Sequence, residues 1–131
     1  MVGDELTVRR RGIWADILKE RVRQEELKAA GKFKYTCADS NMLSSEKYLV
    51  LAEEVGEVAR AVLNLQNFAF DYSSDLGKVR EELVQVAAVS VAWLEFIDSI
   101  LYPEPHSEIT QASVDQEGIR QAPPSAGRLN T

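Results

Sequence analysis

Five oxygen-bearing side chains fall at helical spacing on two stretches of the chain: Glu53, Glu54 and Glu57 in LAEEVGEVARAV, and Glu82 with Gln85 in EELVQVAAVSVAWLE. On a helical wheel of about 100° per residue, the first three share one arc of roughly 100°. Glu54 lies inside the apolar arc drawn by Val50, Val55, Val58, Ala61, Val62 and Leu65, with Glu53 and Glu57 at its edge. Glu82 lies near the middle of a stripe made by Val86, Val89, Trp93, Phe96, Ile97 and Ile100, with Gln85 one turn further on. Acid-rich helix faces are usually solvated, so the string alone says little. Its position on core-facing stripes says more, because an ionised carboxylate buried there costs on the order of several kcal/mol unless a cation, a proton, or an Arg or Lys compensates it. Arg21, Arg23 or Lys28 could pair with one such acid, but four or five converging acids outnumber those bases. A hard divalent cation, Mg²⁺ or Mn²⁺, is the natural partner, since carboxylate oxygen is the ligand these ions select.

Other chemistries are thin on the ground. Cys37 and His106 are the only residues of their kinds, which removes an internal disulfide, a zinc site of ordinary spacing and a paired Cys–His nucleophile. Carboxylate di-iron and di-manganese sites in helical bundles use Glu-x-x-His, and Arg60 and Gln85 stand where those histidines would be. The chain of 131 residues carries a formal charge of −6, distributed as +3 over residues 1–34 and −9 over residues 35–131. That balance disfavours nucleic acid, whose binding calls for a basic footprint.

The elements that must position these acids are helical. The pattern predicts a first helix from about Gly12 to Ala30, with Ile13, Trp14, Ile17, Leu18 and Val22 as its core stripe and Gly31 as its stop. GKFKYTCADSNM reads as an ordered connection. Ser44 or Ser45 is the expected cap of a second helix that runs to about Leu65, and Ser73, Ser74 or Asp75 of a third that runs to about Leu101, after a turn-rich break over QNFAFDYSSD. Pro103 and Pro105 end the third helix. Period-2 alternation is absent, so the fold class is all-α. The third helix is apolar around most of its circumference, which points to a bundle of three long helices completed by a second copy. The expected organisation is a helical domain over 1–102 and a mobile tail over 103–131, with at most a short helix near Ser113 to Gln121. The first eleven residues hold no apolar run of signal-peptide type, and Leu83 to Leu94 is too short to span a bilayer, so the chain reads as cytoplasmic with no membrane partner.

The pair of strings Glu53-Glu54-Val-Gly-Glu57 and Glu82-Leu-Val-Gln85 resembles the EExxE and ExxD pattern of the MazG-like all-α nucleoside triphosphate pyrophosphohydrolases. LAEEVGEVARAV, EELVQVAAVSVAWLE and the upstream RQEELKAAGKF look like a small single-domain branch of that group. The resemblance covers about residues 13–101. It implies Mg²⁺-dependent hydrolysis of a nucleoside or deoxynucleoside triphosphate to the monophosphate and pyrophosphate, in a homodimer or homotetramer. It further implies that Glu54, Glu57 and Glu82, with Gln85, hold metal, and that Glu53 or a metal-bound water chain supplies the attacking hydroxide, so that Glu53 and Glu54 are the catalytic acids. Lys47, Lys78 and Arg80 are then candidate phosphate contacts, and Phe33, Tyr35 and Trp14 candidates to stack on a base.

One departure separates the chain from that pattern: Gln85 stands where the family has aspartate, which exchanges a charge for a neutral carbonyl oxygen. Three outcomes stay open. The site works with weaker metal binding; the metal set shifts toward Glu81 or Glu53; or catalysis is lost and the chain is a helical module that binds nucleotide or a protein partner.

Overall fold

The computed structural model describes residues 2–67 and 72–104. Among them there are three helices and no strand: α1 (Val2–Ala29), α2 (Ser44–Asn67) and α3 (Tyr72–Leu101). The chain divides after Leu101, and all that follows concerns the unit Met1–Leu101. The tail expected to be mobile, and the short helix expected within it, lie outside the described residues from Pro105 onward.

Local chemistry sets the helix ends. Gly31, at φ +75°, closes α1 with a paired hydrogen-bond motif: its N–H donates to the Lys28 carbonyl and the Lys32 N–H to the Leu27 carbonyl, 2.9 Å each. Only glycine takes that left-handed backbone without strain, so the expected stop holds. The cap of α2 differs from expectation. Leu43 occupies the cap position, its carbonyl accepting from the Lys47 N–H at 3.0 Å, while Glu46 reaches back to accept from the Leu43 N–H at 2.7 Å. This is the glutamate half of a capping box without its serine half, and Ser44 and Ser45 are already inside the helix. α3 begins at Tyr72, so Ser73, Ser74 and Asp75 fall within it and not before it.

α3 is the central element. It packs against both α2 and α1, whereas α1 and α2 do not pack on each other. Its buried seam holds Glu82, Ala88, Val89 and Ala92, with Trp93 packed alongside; two fully buried alanines let neighbouring backbones come close. Ser90 donates to the Val86 carbonyl at 2.9 Å, which satisfies its hydroxyl within the helix. The far end of the expected stripe, Ile97 and Ile100, is exposed. On α2 the seam runs through Lys47, Val50, Leu51, Glu54, Val58, Ala61 and Leu65, while Val55 and Val62 face out.

α1 overturns its expected stripe. The residues turned to the interior are Ile17, Arg21 and Gln24, while Ile13, Trp14, Leu18 and Val22 are exposed, Trp14 and Leu18 at 64%. On the wheel Trp14, Leu18 and Val22 sit roughly 60–140° from Ile17, so one helix cannot bury both sets against a single neighbour. The charge of Arg21 is met inside: its Nε–H donates to Glu95, and its Nη2 reaches Glu25 at 2.5 Å. By length and composition alone Asp75–Leu101, 27 residues containing an 18-residue window of mean hydropathy 1.6, is long and apolar enough to cross a membrane, a test that the core helix of a soluble protein also passes.

Candidate active site

A cleft of about 330 Å³ opens where α1 and α2 flank α3 without touching. Glu20, Arg23 and Gln24 of α1 form one wall and Val50, Glu53 and Glu54 of α2 the other. Gln85 and Val89 of α3 form the floor, and Phe33, Tyr35, Thr36, Cys37 and Met42 of the connection close one end. The lining is therefore divided between carboxylates and an apolar, aromatic part contributed mainly by the connection.

The connection is held in place from both sides. Lys28 donates to Asp39 at 2.7 Å, the other oxygen of Asp39 accepts the Thr36 N–H at 2.7 Å, and the Thr36 hydroxyl donates to Glu25 at 3.0 Å, which ties it to α1. The Lys28 hydrogen bond and the Thr36 N–H hold the Asp39 carboxyl below its ordinary range. From the α2 side the Lys47 ammonium donates to the carbonyls of Cys37, at 2.9 Å, and Asp39, at 2.5 Å, and lies 4.1 Å from the centre of the Phe96 ring. Lys47 is 0% exposed. The expectation that it contacts phosphate is thus corrected: its charge satisfies the backbone of the connection, and no substrate can reach it.

The acids follow the wheel in position and differ in their partners. Glu82 is 8% exposed, as its place in the stripe implied, and Lys78 binds it at 2.8 Å. Glu57 pairs with Arg60 at 3.4 Å on its own helix. Glu53 and Glu54 make no hydrogen bond or ion pair with any described residue. Arg21, Arg23 and Lys28 form no ion pair with these acids: Arg21 binds Glu25 and Glu95, Arg23 binds Glu20 through three hydrogen bonds of 2.8–3.1 Å while its charge also acts on Glu54, and Lys28 binds Asp39 and Glu25. The Glu54 carboxyl is consequently pushed up, first by burial and then by the charges of Glu82, Glu53, Glu57 and Glu20. Four acids, from all three helices, thus act on Glu54.

Convergence stops short of a chelate. Among the described residues no three His, Cys, Asp or Glu side chains stand close enough together to hold a metal ion as they are placed. In donor chemistry the set fits a hard divalent cation, because hard oxygen ligands and a half-buried carboxyl at Glu54, in no ion pair with a described residue, are what such an ion relieves. The ion pairs that occupy Glu82 and Glu57 involve exposed partners, Lys78 and Arg60, and are of the kind that is readily exchanged.

The remaining candidates divide. Phe33 and Tyr35 line the cleft; Trp14 does not. Arg80 lines an adjoining open groove of about 710 Å³ with Lys19 and Arg23, and is paired with Asp16 at 2.6 Å. Gln85 borders both spaces. The chain matches no family model, no curated protein and no solved structure. Among the polar cleft residues of α1, Glu20 and Gln24 escaped the sequence reading as site residues, and Arg23 entered it only as a base that could pair with an acid. The signal that could have found them is the spacing Ile17, Arg21, Gln24, one face of α1 that the apolar residues beside it concealed. Cys37 is buried, and burial pushes its thiol up against the pull of Lys47 and Arg21, which disfavours the thiolate.

Proposed function

We propose that the chain is a metal-dependent nucleoside triphosphate pyrophosphohydrolase that converts its substrate and water to a monophosphate and pyrophosphate. The observation that carries this reading is Glu54: a half-buried carboxyl, in no ion pair with a described residue, at the wall of an aromatic-lined cleft, with four other carboxylates acting on it. Such an arrangement destabilises the protein by itself and makes sense as a receptor for cations. Glu54, Glu57 and Glu82 would hold Mg²⁺ or Mn²⁺ with the Gln85 carbonyl oxygen, and the ion supplies charge neutralisation and polarisation of the phosphoryl oxygens.

The chain's own groups would do the rest. Glu53, exposed and paired with no described residue, accepts a proton from the attacking water as the water oxygen bonds to phosphorus and the bond to the pyrophosphate leaving group breaks. Arg80 and Lys78 exchange their carboxylate partners for phosphate oxygens. Phe33 and Tyr35 supply a planar, apolar surface for the base. The test is pyrophosphate release from a panel of nucleoside and deoxynucleoside triphosphates with Mg²⁺ or Mn²⁺. Turnover by the native chain that drops about a hundredfold or more in Glu82→Ala is expected; full activity in that variant, or none in the native chain, overturns the proposal.

A second reading, a nucleotide-binding or partner-binding module without catalysis, is favoured by Gln85 and by acids that stop short of a chelate. Gln85→Asp separates the two. A large gain from a near-silent parent supports the second reading, and no gain supports glutamine as a native part of a working site.

A further inference from the structure

Gln24 is a polar cleft residue that the proposed reaction leaves without a task, and unlike Glu20, Arg23 and Thr36 it has no partner among the described residues. It is 8% exposed, it lines the cleft, and its carboxamide makes no hydrogen bond with any described residue. With most of its side chain buried and no partner among the described residues, its amide is left open to whatever enters the cleft. Its position narrows the ligand. Gln24 lies one helical turn beyond Glu20, one of the acids that act on Glu54, and toward the end of α1 where the connection brings in Phe33, Tyr35 and Thr36. It thus stands between the acidic wall and the aromatic end. A carboxamide offers one acceptor and a donor side by side in a plane, which complements the adjacent donor and acceptor on the edge of a nucleobase.

We propose that Gln24 reads the base edge of the nucleotide, while the connection's aromatic residues cover its face. This rests on the reading of the cleft as a nucleotide site, and the experiment separates the two. The full chain and Gln24→Met are titrated with uridine, cytidine, adenosine, guanosine and N3-methyluridine, without metal, by saturation-transfer NMR. Triphosphate turnover is measured beside them. The expected result is that the native chain ranks the nucleosides, that methylation of N3 disfavours uridine, and that Gln24→Met loses about tenfold or more in affinity for the preferred nucleoside and flattens the ranking. Circular dichroism checks the fold of the variant, and Gln24→Asn, which keeps the amide and shortens its reach, substitutes if Gln24→Met does not fold. An unchanged ranking in the variant, or no nucleoside bound by the native chain, overturns the assignment. Base ranking that depends on Gln24 without triphosphate turnover keeps it and defeats only the hydrolase.

Discussion

At the scale of single residues, the decisive quantity is the protonation of Glu54. Burial and four neighbouring acids raise its pKa above the ordinary glutamate value of 4.5. Between that ordinary value and the raised one, the folded state keeps a proton that the unfolded chain has lost, so stability falls as pH rises through this window and the cost persists at neutral pH. Glu54→Gln is therefore expected to raise the melting temperature at pH 7, with the gain shrinking as pH is lowered toward the ordinary value. Mg²⁺ is expected to raise the melting temperature of the native chain and to leave the variant nearly unmoved. A variant that melts lower than the native chain at pH 7, in the absence of metal, would show that the acids are not in conflict. The helical wheel made Glu54 and Glu82 legible because a glutamate on an apolar stripe is anomalous in a one-dimensional pattern. It was silent on Gln24 and Glu20, because a polar residue on a polar-looking face raises no such flag. Nor did it show that Lys78 and Arg60 would occupy Glu82 and Glu57, since long flexible side chains choose partners by local reach.

At the scale of elements, the connection between α1 and α2 depends on Lys47 more than on any cap or turn. The helices were readable from periodicity, and Gly31 from the backbone it alone adopts freely. The connection was readable only as ordered, because what orders it is a lysine from the next helix, and a lysine in sequence reads as a surface base. Its burial is explained by two backbone carbonyls and an aromatic ring around the ammonium. Lys47→Met keeps the volume and leaves both carbonyls unpaired. It is expected to destabilise the fold by about 2–4 kcal/mol, read from urea unfolding, and to increase proteolysis between Phe33 and Met42. A loss under about 1 kcal/mol would mean that water replaces the ammonium at little cost. Acid acts on the same segment with the opposite sign to Glu54: Asp39 and Glu25 have lowered pKa values, so their support is complete above the ordinary carboxylate value and is lost as pH falls below it through their lowered ones.

At the scale of the whole molecule, one arrangement accounts both for the cleft and for the misread face of α1. Because α3 separates α1 from α2, the three helices form an open layer, and the space between the outer two becomes the cleft. The same openness leaves Ile13, Trp14, Leu18 and Val22 of α1, and Leu94, Ile97, Ile100 and Leu101 of α3, exposed among the described residues. The sequence marked α1's stripe correctly as apolar and wrongly as intramolecular, since periodicity reports that a face is to be buried and not against what. We propose a second copy as the cover, in a symmetric association where each residue of the patch is counted twice. Trp14 is the side chain with the most area to lose from water and the natural centre of such a contact. Light scattering on the native chain is expected to give a multiple of 14.6 kDa at micromolar concentration. Leu18→Glu combined with Trp14→Glu is expected to give the monomer while circular dichroism retains its helix signal, because both positions are exposed in the single chain and a charge there costs the fold little. A native chain that is monomeric at about 100 μM would assign these residues to some other partner.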